Sequence, residues 1–79
     1  MKTTENIVEE ILRDVNSEIL DYNGNNLVND HIIDSLCIVE IVSGIEDRFG
    51  IEINPEEIVW TRFMTIETII KFVKELVEK

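Results

Sequence analysis

Apolar positions recur at helical spacing in three stretches of the chain and lose that spacing in between. Ile7, Val8, Ile11, Leu12, Val15 and Ile19 predict a first helix over residues 4–19, with Thr3 or Thr4 as its cap. From Ser35 to Phe49 a helical wheel sets Ile38, Ile41, Val42, Ile45 and Phe49 on one face. Leu36, Glu40, Ser43 and Asp47 fall opposite, and Val39 and Glu46 lie on the border nearest Ser35. Ile66, Ile69, Ile70, Val73, Leu76 and Val77 predict a last helix capped by Thr65.

The stretches between are read from turn chemistry. Residues 20–33 are rich in Asn, Asp and Gly, and Asn23-Gly24 marks a turn. Leu27, Val28, Ile32 and Ile33 show no period there and are expected to pin the loop onto the core. Gly44 costs about 1 kcal/mol inside a helix relative to Ala, which predicts close approach of another helix. Gly50 suits the left-handed residue that ends a helix, and Ile51 and Ile53 should face inward. Asn54-Pro55-Glu56-Glu57 offers a cap, an N1 proline and a capping-box glutamate, predicting a short third helix that ends near Ile58–Trp60. With no internal repeat and no linker, residues 1–79 should form one all-α domain. The expected fold is a small antiparallel four-helix bundle, three main helices plus one short helix.

Charge narrows the function classes. The chain carries a formal −10 over 79 residues, which excludes a nucleic-acid binder because that needs a basic footprint. Eight carboxylates (Asp14, Glu18, Asp21, Asp30, Asp34, Glu40, Glu46 and Asp47) lie in a stretch without a single Lys or Arg. In the last helix, by contrast, Glu67–Lys71, Lys71–Glu75, Lys74–Glu78 and Glu75–Lys79 have partners at i,i+4 spacing. The face of the first helix carrying Glu9, Glu10, Arg13 and Asp14 reads as solvated surface. The uncompensated acids of the second helix suit a partner with a basic docking patch. A lone cysteine and short apolar runs predict a cytoplasmic protein without a signal peptide or membrane insertion, and a monomer.

The candidate chemistry gathers where the loop meets the second helix, at Asp34-Ser35-Leu36. Asp34 is a good N-cap, and Ser35 then falls on the first turn, near the positive end of the helix dipole. An anionic group is well tolerated there. Leu36 is apolar on an otherwise acidic face, as expected of a docking contact. Other combinations are weaker. His31, Asp34 and Ser35 are too close in sequence to be oriented as a catalytic triad, and no nucleophile elbow accompanies them. Asp21, Asn23 and Asn25 match the start of a calcium loop, but Asn26 and Ile32 stand where Gly and Glu are required. No metal site is assigned. Cys37 is read as a passive thiol, and Trp60, Arg62, Phe63 and Met64 as core lining.

The run Asp30-His31-Ile32-Ile33-Asp34-Ser35-Leu36-Cys37-Ile38-Val39-Glu40-Ile41-Val42 resembles the acyl carrier protein family, whose Asp-Ser-Leu motif carries 4′-phosphopantetheine on the serine. The resemblance covers nearly all of the chain. It implies a single, standalone acyl carrier domain and a Mg²⁺-dependent phosphopantetheinyl transferase (holo-synthase) that modifies Ser35. It implies also that Asp34 caps the helix and helps hold the metal during transfer. Acyl-transferring or acyl-activating enzymes would dock on Leu36, Val39, Glu40, Glu46 and Asp47, and the chain itself would catalyse nothing. Cys37, Ser43 and Ile32 depart from the pattern common in fatty-acid carriers, which points from general fatty-acid biosynthesis towards one dedicated acyl pathway. The Ile33-Asp34-Ser35 run and the Trp60-to-Thr65 stretch are similar to D-alanyl or aminoacyl carriers as well. The rival from another class is a non-covalent acidic adaptor.

Overall fold

The computed structural model describes residues 3–78. Three α-helices carry the fold: α1 (Thr4–Val15), α2 (Ser35–Phe49) and α3 (Ile66–Val77). Short 3₁₀ turns occupy Ser17–Ile19, Pro55–Glu57 and Trp60–Phe63, and no strand occurs among the described residues. Helix α1 packs against both α2 and α3. The described chain is only 17 Å across its shortest dimension, room for at most two layers of helices about 10 Å thick.

All-α character, and α2 to the residue, follow the apolar pattern. Two boundaries do not. The predicted 4–19 helix stops at Val15, because Asn16 turns extended (φ −163°, ψ 110°) and its side chain accepts from the Glu18 N–H. Ile19 still reaches the core, fully buried, from the 3₁₀ turn that follows. The expected short third helix is not an α-helix either. Asn54 caps Pro55–Glu57 through the Glu56 N–H, one residue earlier than a capping box uses, and extended Val59 separates that turn from Trp60–Phe63. The described fold is therefore three α-helices with 3₁₀ connections.

The core draws Val8, Ile11 and Leu12 from α1, Ile41, Val42 and Ile45 from α2, and Ile69, Phe72 and Val73 from α3. Leu27 and Ile33 from the long loop are buried with them, while Val28 and Ile32 are half-buried against its edge, so the loop is pinned as expected. The Leu27 N–H donates to the Met64 carbonyl at 2.7 Å, and Asn16 Nδ2 to the Ile32 carbonyl at 3.3 Å. Phe72, absent from the predicted stripe, meets Phe63 edge-on at 5.9 Å between centroids. Trp60 reverses its expectation: it is 52% exposed, not core lining.

Gly44 of α2 lies close against Ile11 of α1. A Cβ there would lie 2.8 Å from Ile11 Cγ2. The charged pairs also depart from the sequence pattern, since they join elements. Lys74 reaches Glu5 at 3.0 Å, Glu75 holds Arg62 at 2.8 Å, and Arg48 spans to Glu10 at 3.0 Å. Glu10 is thus engaged across α1 and α2 instead of merely solvated. Lys79, the last predicted partner of Glu75, lies outside the described residues.

Candidate functional site

The long loop closes just before α2. Asn26 Oδ1 accepts from the Val28 and Asn29 N–H groups, and Asp30, His31, Ile32 and Ile33 donate back to Asn26, Val28 and Leu27 carbonyls. Tyr22 braces this turn: its hydroxyl donates to Asp30 and accepts from the Asn26 N–H at 2.7 Å. Desolvation first, then the Asp30 contact, raises the Tyr22 pKa. His31 exits the turn in the left-handed region at φ 60°. Buried Ile33 then fixes the depth at which Asp34 emerges.

Asp34 is extended and caps α2 as expected, Oδ1 accepting from the Cys37 N–H at 2.9 Å while its carbonyl takes the Ile38 N–H. The Cys37 N–H is the main reason that the Asp34 carboxyl sits below its ordinary pKa. Ser35 follows as the first residue of α2 and is exposed. No acid occupies the first turn of α2, whereas Glu5 and Glu67 sit in the first turns of α1 and α3. The dipole-positive end of α2 is therefore offset only by its cap.

Exposure alone does not choose among the serines, because Ser17 and Ser43 are exposed as well. Ser17 opens a short 3₁₀ turn and Ser43 lies in mid-helix. Only Ser35 stands on the leading turn of an α-helix directly after a carboxylate cap.

Around it, Leu36 is 65% and Val39 59% exposed, the two most exposed large apolar side chains described. Glu40 and Asp47 are exposed on the same helix. Glu46 is half-buried, and its Oε2 accepts from the Ile53 N–H at 2.8 Å, a contact that helical spacing gave no sign of. Cys37 is half-buried. The Asp34 backbone hydrogen bond pulls its pKa down, but burial and the Asp34 and Glu40 carboxylates outweigh it, so the thiol is raised and kept protonated. His31 lies on the approach to this site, and Asp21, Asn23 and Asn25 are distant from α2 in sequence, with Asn23 and Asn25 lining a shallow groove beside Thr65. No group of three or more His, Cys, Asp or Glu side chains able to hold a metal occurs among the described residues.

This arrangement offers an accessible hydroxyl at the dipole-positive end of a helix. The family model for the phosphopantetheine attachment site matches residues 3–73. The chain belongs to that family. Phosphopantetheine-attachment-site proteins are acyl-carrier-type modules that bear 4′-phosphopantetheine covalently and carry substrate without catalysing its conversion. The match spans α1, α2 and most of α3, so the family assignment rests on the whole fold and not on a tripeptide. No solved structure matches the chain. No described helix of this carrier is long and apolar enough to cross a membrane.

Proposed function

We propose that Ser35 is the attachment residue and that the chain carries acyl intermediates of a biosynthetic pathway as thioesters. The observation that carries this reading is the position of its hydroxyl: exposed, on the leading turn of α2, immediately after the Asp34 cap. The bound phosphopantetheine supplies a flexible arm ending in a thiol, on which acyl groups are held. The chain's own contribution is to present and to protect. Asp34 fixes the start of α2, and the dipole there favours the negative charge of a phosphodiester. Packing of Ile33 and Ile38 around the core keeps the serine outside it.

Leu36 and Val39 are the apolar contacts for a phosphopantetheinyl transferase and for acyl-transferring or acyl-activating enzymes. Glu40, Asp47 and the outer edge of Glu46 attract the basic patches of those partners. Cys37 and Ser43 support a dedicated acyl pathway over general fatty-acid synthesis. The purified chain, incubated with coenzyme A, Mg²⁺ and a promiscuous phosphopantetheinyl transferase, should gain one phosphopantetheine by intact mass, and Ser35→Ala none. An acidic adaptor would gain nothing in either form. Loading the modified chain from fatty acyl, malonyl and D-alanyl donors then identifies the acyl class.

A further inference from the structure

Asn16 stands where α1 ends, and each of its polar groups is used. Its N–H donates to the Leu12 carbonyl at 2.9 Å, and its carbonyl accepts from the Ile19 N–H at 3.0 Å. Its Oδ1 accepts from the Glu18 N–H at 3.0 Å. A backbone N–H must meet the oxygen of a side-chain amide, so Nδ2 is turned the other way, onto the Ile32 carbonyl at 3.3 Å. Serine or aspartate would cap the 3₁₀ turn as well. The amide nitrogen is what sets asparagine apart here.

The Ile32 carbonyl belongs to the same peptide group as the Ile33 N–H, which donates to the Leu27 carbonyl at 3.3 Å. That peptide is therefore held at both ends, by the close of α1 on one side and by Leu27 on the other. Leu27 is itself fixed: it is fully buried, and its N–H donates to the Met64 carbonyl at 2.7 Å, just before the Thr65 cap of α3. Burial of Ile33 sets the depth at which the chain enters the Asp34 cap. A planar peptide held at both ends sets its rotation.

We infer, on the reading of Ser35 as the attachment residue, that Asn16 is a positioning residue for its modification. By holding the Ile32–Ile33 peptide between α1 and Leu27, the Asn16 amide fixes the direction in which the Ser35 hydroxyl is presented to a transferase. Asn16 acts through the backbone of Ile32 and Ile33, so its loss affects turnover and not the docking of Leu36, Val39 or Glu40. The last turn of the predicted first helix is given up at the residue that makes this contact.

Two variants separate the amide from the cap. Asn16→Ser keeps an oxygen for the Glu18 N–H and loses the donor to Ile32, whereas Asn16→Ala loses both. Each is compared with the wild type well below its melting midpoint, using coenzyme A, Mg²⁺ and a promiscuous phosphopantetheinyl transferase. Both should show a kcat about fivefold lower, with the KM for the chain within about twofold of the wild type. By NMR on the unmodified chain, the Ile33 amide of Asn16→Ser should exchange about fivefold faster relative to the Val73 amide of α3. Unchanged exchange at Ile33 would overturn the role of Asn16, as would faster exchange with an unchanged kcat. A kcat loss confined to Asn16→Ala would overturn it too, since the cap and not the amide would then matter. Modification of the wild type at a residue other than Ser35 would overturn the Ser35 reading and the role of Asn16 together, and is seen without any variant.

Discussion

Asp34 stabilises α2 as an anion, so its contribution must depend on pH. Its folded-state pKa lies below the ordinary carboxylate value, chiefly through the Cys37 N–H. A depressed acid contributes fully above its unfolded pKa, about 4, and loses that contribution as pH falls through the folded value. Thermal unfolding should therefore show Asp34→Ala destabilised at pH 7, with the gap to wild type narrowing steadily below about pH 4. Asp34→Asn, which keeps a capping oxygen, should remain closer to wild type at neutral pH. Gly44 makes a second residue-level prediction. Alanine would favour the helix by about 1 kcal/mol. Its Cβ, however, would press on the Cγ2 of buried, β-branched Ile11, and overpacking of that kind costs about 1–3 kcal/mol. Gly44→Ala should thus lower stability in denaturant titrations in spite of better helix propensity. Caps of this sort were legible in the sequence because each is a bond between neighbours: Thr3 to Asn6, Asp34 to Cys37, Thr65 to Thr68. The Glu46–Ile53 bond was not, because it crosses a helix end where no periodicity links donor to acceptor.

At the scale of elements, the three long amphipathic patterns became helices, and the marginal ones were decided by local competition. Asn16 can satisfy the backbone with its own side chain, and that outweighed one more turn of α1. The stretch after Pro55 is too short to offset the cost of nucleating a helix, and β-branched Ile58 and Val59 follow it, so only 3₁₀ turns form. Phe72 and Trp60 show what periodicity misses. Phe72 is buried with Phe63 edge-on beside it from the turn that precedes α3, and the Arg62 guanidinium lies over its ring, 4.9 Å from the centroid. Phe72→Ala should cost about 3–5 kcal/mol, measured by urea unfolding. Trp60→Ala, at a half-exposed position, should change stability by only about 0.5 kcal/mol. Equal losses at the two positions would contradict this placement of the core.

Across the whole molecule, the chain joins a thin apolar core to a surface with ten units of net negative charge. Of the basic side chains seen in ion pairs, Arg62 and Lys74 hold Glu75 and Glu5, and Arg48 holds Glu10 while lining a groove with Glu40 and Asp47, so most of the acids keep no basic partner among those pairs. Encounter with a basic partner enzyme should consequently be steered over long range. The association rate, followed by stopped flow, should fall about tenfold between low and physiological-to-high salt, and Glu40→Gln with Asp47→Asn should flatten that dependence. Family membership was legible in the sequence at this scale because a short motif, an acidic stretch and a helical pattern agreed along most of the chain. The acyl group was not, because in the proposed reading Leu36, Val39 and their acidic neighbours serve as a surface for partners and not as a pocket for one substrate. The most direct measurement is tandem mass spectrometry of the chain after transferase treatment, locating the added group among its three serines. The account requires phosphopantetheine on Ser35 alone; modification of Ser17 or Ser43, or an unmodified Ser35 peptide after exhaustive treatment, would contradict it.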